Sequence, residues 1–124
     1  MSKLLLVGLA GLVGTLSRYW LSGAVSRRYG GTFQFGTLLV NLLGCFLVGL
    51  LFYLLQERST ANETVRAVIL IGLLGGFTTF SSFGLQTFTM LQDGEFALAA
   101  LNVAASNVIG IFLVWAGYTL AKAF

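Results

Sequence analysis

The sequence predicts an all-α membrane protein with four transmembrane helices, and its composition, length and apolar runs lead to this prediction. Hydrophobic residues make up 57% of the 124 residues and charged residues only 9%, with a mean hydropathy of +0.92. A soluble domain carries roughly 25% charged residues. Since about 20 apolar residues cross the hydrocarbon core of a bilayer, the chain has the length for four short-looped spans but not for a nucleotide-binding domain.

The charged residues exclude several classes of function. The net charge is +3, but the basic residues stand mostly at span ends, which is ordinary membrane anchoring, so no nucleic-acid partner is expected. The sequence has no histidine, which removes the commonest metal ligand and the usual proton shuttle. All four acidic residues fall in predicted loops, and the chain carries no ATP-binding motif. We therefore expect no enzyme activity, and we expect any transport to be passive.

The first predicted span covers residues 3–25. Gly8, Gly11 and Gly14 are spaced so that a neighbouring helix can approach its backbone closely. Arg18 interrupts the apolar run, and two interpretations are open. The side chain either snorkels to the membrane interface, or it supplies a fixed positive charge that attracts anions or joins a buried network.

The second predicted span covers residues 36–55 and follows a loop at residues 26–31. Residues 32–35 either begin this span or lie at the surface. Asn41 is the one strongly polar group of the span. An amide buried in hydrocarbon without a partner costs several kcal/mol, so Asn41 is expected to face another helix, as a packing contact, or a pore, as a hydrogen-bond donor.

The third predicted span covers residues 65–91, after a polar loop in which Thr60 or Asn62 is expected to cap the helix. The span is longer than one crossing requires. Gly75 and Gly76 are adjacent within it, and each glycine costs roughly 1 kcal/mol relative to Ala in a helix interior. Hydroxyl and phenylalanine side chains surround this point: Phe77, Thr78, Thr79, Phe80, Ser81, Ser82 and Phe83. The pattern predicts a broken third helix, with two half-helices and a candidate ion site at the break.

The fourth predicted span covers residues 96–121. Asn102 and Ser106 are four residues apart and share one helical face, and Asn107 is adjacent to Ser106. This polar face is expected to point toward the other helices, either for packing alone or toward a polar path.

The charge distribution also predicts self-association. Four spans place both termini on one side of the membrane. The basic residues divide nearly evenly between the sides: Lys3, Arg58, Arg66 and Lys122 against Arg27, Arg28 and, if it reaches the interface, Arg18. The positive-inside rule then gives only a weak orientation preference. A chain that inserts in both orientations can form an antiparallel, dual-topology homodimer with its two-fold axis in the membrane plane.

Three motifs give the chain a specific likeness. The run GGFTTFSSF, Asn41 within VNLLG and Arg18 within LSRYW together resemble the Fluc/CrcB family of fluoride channels over nearly the whole chain. The resemblance implies a dual-topology homodimer in the bacterial cytoplasmic (inner) membrane that conducts fluoride through two antiparallel pores. It also implies a central structural sodium ion.

The resemblance further implies individual roles in the pore. Phe80 and Phe83 match phenylalanines whose ring edges face fluoride, and a phenyl ring has a negative face and a positive edge. Asn41 matches a pore asparagine, and Ser81 matches a hydroxyl beside the phenylalanines. Since fluoride is strongly hydrated, fixed donors of this kind are expected to replace its water.

The sodium ion and the pore entrance are assigned in the same way. Gly75 and Thr78 match positions whose backbone carbonyls hold the ion, and Arg18 matches an arginine near the vestibule. Such an ion would satisfy acceptors that are left without partners where helix turns are missing.

The sequence departs from the family pattern at the outer pore. Gln86 stands where relatives carry glutamate, and Val103 stands where some carry tyrosine. Asn107 stands where relatives carry serine or histidine, so a polar role in the pore is expected for it.

Two other functions fit the length and hydropathy. A small multidrug-type exporter shares the size and dual topology, but it needs a membrane-embedded carboxylate, whereas the first span has Arg18 and Gln86 is neutral. A non-conducting assembly subunit would use its glycines and asparagines only for helix packing, and it would give no ion flux in liposomes.

Overall fold

Four long helices make up the fold. The computed structural model describes residues 2–31, 33–59 and 61–124. The helices are α1 (Lys3–Arg28), α2 (Phe35–Arg58), α3 (Glu63–Gln92) and α4 (Phe96–Lys122), and each is long and apolar enough to cross a membrane. The prediction of an all-α protein with four membrane-spanning helices is therefore confirmed. Each helix extends beyond its predicted span by a turn or less, and the division of these residues between bilayer and water stays a prediction.

Side-chain caps define the starts of α1 and α3. The Ser2 hydroxyl accepts from the Leu5 N–H at the start of α1, and the Asn62 side chain accepts from the Val65 N–H at the start of α3. Of the two residues expected to cap the third helix, Asn62 is the cap, and Thr60 lies outside the described residues. Thr32 also lies outside them, and Gln34 is the N-cap residue of α2.

Three of the helices contain segments with wider, π-helical turns. These segments are Tyr53–Arg58 in α2, Ala67–Leu73 in α3 and Ala105–Ile109 in α4. In α3, for example, the Leu74 N–H bonds to the Ile69 carbonyl, five residues earlier. Such bulges are rare and occur frequently at functional sites.

Glycines bring the helices into contact in two pairs. Helix α1 packs along the first half of α3, and α2 packs along α4. A Cβ atom added at Gly14 would overlap the Leu73 carbonyl, and one at Gly117 would overlap the Phe46 carbonyl. Gly11 also approaches α3, whereas an added Cβ at Gly8 would meet nothing within 4 Å. The close helix approach predicted for the α1 glycines is therefore made within one chain at Gly11 and Gly14, but not at Gly8.

The interior is small, and much of the apolar surface faces outward. Phe33, Met90 and Ala99 form one buried cluster near the end of α3 and the start of α4. Large apolar side chains on every helix are exposed, among them Ile71 and Ile111. In a membrane protein, lipid or another protein chain covers such surface.

Two residues within α3 have extended backbone dihedrals. Thr78 has φ −99° and ψ 160°, and Thr79 has φ −148° and ψ 120°. Gly75 and Gly76 lie in the helical turn Leu74–Phe77, so the non-helical residues come after the glycines and not at them. Glycine tolerates many conformations without imposing one, whereas β-branched threonine packs well in an extended backbone. The second half of α3, Phe80–Gln92, starts with Thr79 as its N-cap.

Candidate functional site

Asn41 holds the extended peptide of α3 from the side. Its Nδ2 donates to the Thr79 carbonyl at 2.9 Å, and its Oδ1 accepts from the Thr79 N–H at 2.8 Å. The Thr79 N–H has no helical acceptor because Thr78 and Thr79 are extended. In hydrocarbon every backbone polar group needs a partner, and one amide side chain provides two. An asparagine amide has two N–H donors, so Asn41 keeps one for another acceptor.

Arg18 satisfies a second backbone group of the same region. Its Nε donates to the Gly76 carbonyl at 3.2 Å. In a continuous helix this carbonyl would accept from the N–H four residues later, but extended Thr78 and Thr79 prevent that bond. Of the two interpretations of Arg18, the structure therefore favours the buried network, and the terminal nitrogens of the guanidinium remain available.

The hydroxyl of Thr79 starts a short chain of hydroxyls. It accepts from the Ser82 N–H at 3.2 Å, donates to Ser82 Oγ at 3.1 Å, and lies 3.4 Å from Ser81 Oγ. The cap of a half-helix thus places three hydroxyls next to one another. Hydroxyls rotate, so each can donate or accept as its neighbours require.

Other backbone acceptors near Thr78 stay without partners. Across the described ranges, no hydrogen bond reaches the carbonyl oxygens of Gly75, Phe77 or Thr78. The Thr78 hydroxyl does not help, because it donates to the Leu74 carbonyl at 3.1 Å. A cation that prefers oxygen ligands is one way to satisfy acceptors of this kind.

A cavity of about 340 Å³ opens between α2, α3 and α4, and we call it the phenylalanine cleft. The Phe80 and Phe83 rings lie 5.5 Å apart between centroids with an interplanar angle of 50°. Phe80 is 80% exposed, so its ring is covered only if another molecule covers it. The cleft is otherwise mostly apolar, and its polar lining residues are Asn41, Thr78, Thr79, Ser106 and Asn107.

Ser106 has the most unusual polar atom of this cleft. Its Oγ is buried and has no hydrogen-bond partner within the described part of the chain. A buried unsatisfied hydroxyl costs about 1–3 kcal/mol. Ser106 lies in the π-helical segment Ala105–Ile109. Among the described residues, this hydroxyl is therefore a donor without an acceptor, on a residue that lines the cleft.

A second cavity of about 350 Å³ lies on the other side of Thr79, and we call it the basic cleft. Its lining includes Arg18, Trp20, Arg27, Gln34, Thr37, Ser82 and Gln86. Gln86 Nε2 donates to Thr37 Oγ1 at 2.7 Å. Thr79 lines both cavities, so the basic cleft and the mostly apolar phenylalanine cleft share this residue.

The structure divides the predicted site residues between the two clefts. Asn41, Phe80, Phe83, Asn107 and the sodium candidates Gly75 and Thr78 line the phenylalanine cleft, whereas Arg18 and Gln86 line the basic cleft. Ser81 lines neither, and Ser82 takes a place in the basic cleft instead. Asn107 is exposed, and its Nδ2 donates to the carbonyl of Val103 at 2.8 Å.

Sequence reasoning missed that Ser106 lines the phenylalanine cleft, that Thr37 lines the basic cleft, and that Asn102 links α4 to α3. Asn102 is 3% exposed, and its Nδ2 donates to Thr87 Oγ1, which donates to the Phe83 carbonyl. This relay ties α4 to the half-helix that carries Phe83. The four-residue spacing of Asn102 and Ser106 signalled an inward face, but it does not separate a linker from an unpartnered donor.

Four helices that are each long and apolar enough to cross a bilayer, with the buried amide of Asn102 and with Arg18 on a backbone carbonyl, define a multi-pass membrane protein. A family model described as "CrcB-like protein, Camphor Resistance (CrcB)" matches residues 5–118. The chain belongs to the CrcB family.

Individual relatives match over almost the full length of both chains. A protein of Nitrosococcus oceani named "Fluoride-specific ion channel FluC" is 42% identical over 120 residues, which cover 97% of this chain and 96% of the relative. A protein of the same name from Citrifermentans bemidjiense is 42% identical over 123 residues and 99% of both chains. A third, from Opitutus terrae, is 43% identical and covers 98% of this chain and 93% of its own.

Proposed function

We propose that the chain is a passive, fluoride-selective ion channel that exports cytoplasmic fluoride down its electrochemical gradient. The observation that carries the proposal is the phenylalanine cleft, where two phenyl rings and a buried, unpartnered hydroxyl line one cavity. Relatives that are 42% identical and named fluoride-specific ion channels support the same function. Ion channels of this family are not enzymes, and this chain is not one.

The donors of the cleft suit a small, dehydrated anion. Ser106 Oγ–H has no acceptor among the residues that the structure describes, and Asn41 keeps one N–H after bonding Thr79. The edges of Phe80 and Phe83 add weak positive charge without holding the anion tightly. Sites that are individually weak favour conduction, because the ion must leave as readily as it enters.

The path runs between the two clefts past Thr79. Arg18 and Arg27 attract an anion into the basic cleft, and the hydroxyls of Thr79, Ser81 and Ser82 offer donors in sequence. Ser81 thus contributes its hydroxyl to the ion path through its contact with Thr79, although Ser81 lines neither cleft. Gln86 keeps the entrance neutral apart from the arginines, and Asn107 adds a polar group at the far side of the phenylalanine cleft.

Two copies in antiparallel orientation form the channel, with two antiparallel pores per dimer. One chain leaves the phenylalanine cleft open along α3, since Phe80, which lines it, is 80% exposed. A second copy laid antiparallel over this opening would enclose the cleft. The near-even distribution of basic residues supports insertion in both orientations.

A structural sodium ion at the centre of the dimer is part of the proposal. The carbonyl oxygens of Gly75 and Thr78 fit the group, because no hydrogen bond in the described ranges satisfies them. When bound, the ion would supply positive charge. It would also be coordinated by carbonyl oxygens that lack hydrogen-bond donors where the extended residues interrupt the helix. Within one chain, Arg18 and Asn41 hold the neighbouring peptides in place.

The membrane potential supplies the direction of flow. In a bacterial cytoplasmic membrane that is negative inside, an anion gains about 2.3 kcal/mol per 100 mV on leaving. No acidic residue lies at a helix centre, since Glu57, Glu63, Asp93 and Glu95 stand near helix ends. The chain therefore offers no carboxylate for proton-coupled exchange of a cation, as a multidrug-type exporter would require.

Fluoride efflux from proteoliposomes that contain this chain alone tests the proposal, with chloride as the matched anion. We expect fluoride efflux far faster than chloride efflux. Equal rates for the two anions would contradict selectivity, and no flux of either would favour a non-conducting assembly subunit. Replacing Na⁺ by N-methyl-D-glucamine during purification should reduce flux or dimer recovery, and indifference to the cation would remove sodium from the proposal.

A further inference from the structure

We propose that the basic cleft is also a binding site for a tetrahedral oxyanion of the sulfate or phosphate type. The site is separate from the phenylalanine cleft and lies at the entrance formed by α1, α2 and the second half of α3. Oxyanion binding at this site does not require fluoride conduction, so this proposal and the proposed function can be tested separately.

The charge of the cleft is positive and uncompensated. Arg18 and Arg27 both line it, and none of its lining residues is an Asp or Glu. Within the part of the chain that the structure describes, the only ion pair joins Lys3 and Glu63, at the far end of α1 from Arg27. Two guanidinium groups without a carboxylate attract an anion of matching charge.

The position of Arg27 is built into α1. Gly23 lies one turn before it, and a Cβ atom added at Gly23 would come within 3.4 Å of Arg27 Nη1. The absence of a side chain at Gly23 thus makes room for the guanidinium to lie back along the helix beside the cleft. Arg28, the next residue, is equally charged but does not line the cleft.

Size and donor geometry favour an oxyanion over a bare halide. The cleft measures about 350 Å³, whereas one water occupies about 30 Å³ in the liquid, so a halide there keeps most of its hydration. Guanidinium groups match the oxygens of phosphate or sulfate through paired N–H bonds. The Thr37 hydroxyl accepts from Gln86, which leaves its own O–H proton for an oxyanion oxygen.

Two sources supply this chemistry. A free oxyanion reaches the cleft from water. A lipid phosphate reaches it from the side, because Tyr19 and Trp20 at its rim are 78% and 69% exposed, and such aromatic residues sit at the headgroup level of membranes.

Trp20 provides the assay, since it lines the cleft and the chain has only one other tryptophan. In a Trp115→Phe background, sodium sulfate is titrated into the detergent-purified protein at constant ionic strength, with sodium chloride as the reference. We expect a saturable change in Trp20 fluorescence with sulfate. Arg27→Gln should weaken it by about tenfold or more, since it removes a charge-assisted contact, and the control Arg28→Gln should leave it unchanged.

The same titration in vesicles separates the two sources. A sulfate response that is present in detergent but lost in phosphatidylcholine or phosphatidylglycerol vesicles, both of which carry a lipid phosphate, identifies lipid phosphate as a competing occupant. Equal responses in detergent and in both kinds of vesicle identify the free oxyanion. A response no greater than that of chloride, or an Arg27→Gln response equal to that of the Trp115→Phe parent, would overturn the proposal.

Discussion

Removing the Ser106 hydroxyl should affect stability and conduction in opposite directions. Ser106→Ala deletes a buried polar atom that has no partner in the described chain. Leaving such a group unsatisfied costs about 1–3 kcal/mol, so the variant without anion should be more stable by up to about that amount. Hydrogen bonds to charged groups contribute about 1.5–3 kcal/mol. Losing one in the pore should therefore slow fluoride efflux by about tenfold or more.

Two measurements on the same preparations test this pair of effects. Thermal unfolding in fluoride-free detergent gives the stability, and a fluoride electrode gives efflux from proteoliposomes. Ser17→Ala is the matched control, since Ser17 is exposed and lines a different, apolar cavity. Ser106→Thr keeps the hydroxyl and should retain more flux than Ser106→Ala. A variant Ser106→Ala that is less stable and conducts normally would refute the assignment of this hydroxyl to the anion path.

The remaining predictions concern the peptide clamp, the rings and the helix contacts. Asn41→Asp keeps the size but loses the donor to the Thr79 carbonyl; it should cut efflux by about tenfold or more and lower the unfolding temperature, and normal values of both would contradict the clamp. Phe80→Ile or Phe83→Ile should slow fluoride efflux while size-exclusion chromatography shows an unchanged dimer, and unaltered flux in both would remove the rings from the path. Gly117→Ala would overlap the Phe46 carbonyl and should destabilise by about 1–3 kcal/mol, whereas Gly8→Ala, which meets nothing within 4 Å, should not; equal unfolding temperatures would contradict the close α2–α4 contact.

Local patterns were sufficient for much of the site's composition. The run of hydroxyls and phenylalanines from Phe77 to Phe83 predicted an ion site in the third helix, and the structure places Phe80, Phe83 and Asn41 around one cavity. Such residues stand out in sequence because polar groups are rare in hydrocarbon and need a partner there.

The contacts of those residues were beyond local reasoning. The glycine pair pointed to Gly75 and Gly76 for the non-helical backbone, but the extended residues are Thr78 and Thr79. Their conformation depends on Asn41, which lies 38 positions away in the chain. Local propensity of about 1 kcal/mol per glycine carries no information on the two cross-helix bonds that Thr79 gains from Asn41.

The sequence by itself determined that this is a four-helix membrane protein, because hydrophobic composition and span length depend on neighbouring residues only. It left Arg18 open between snorkelling and a buried network, and it offered Asn102 and Ser106 as equivalent members of one face. Only the tertiary structure decided that Arg18 bonds the Gly76 carbonyl, that Asn102 links to Thr87, and that Ser106 has no partner among the described residues. The physical reason is that hydrogen-bond satisfaction depends on distances between helices, which helix packing determines and sequence spacing does not.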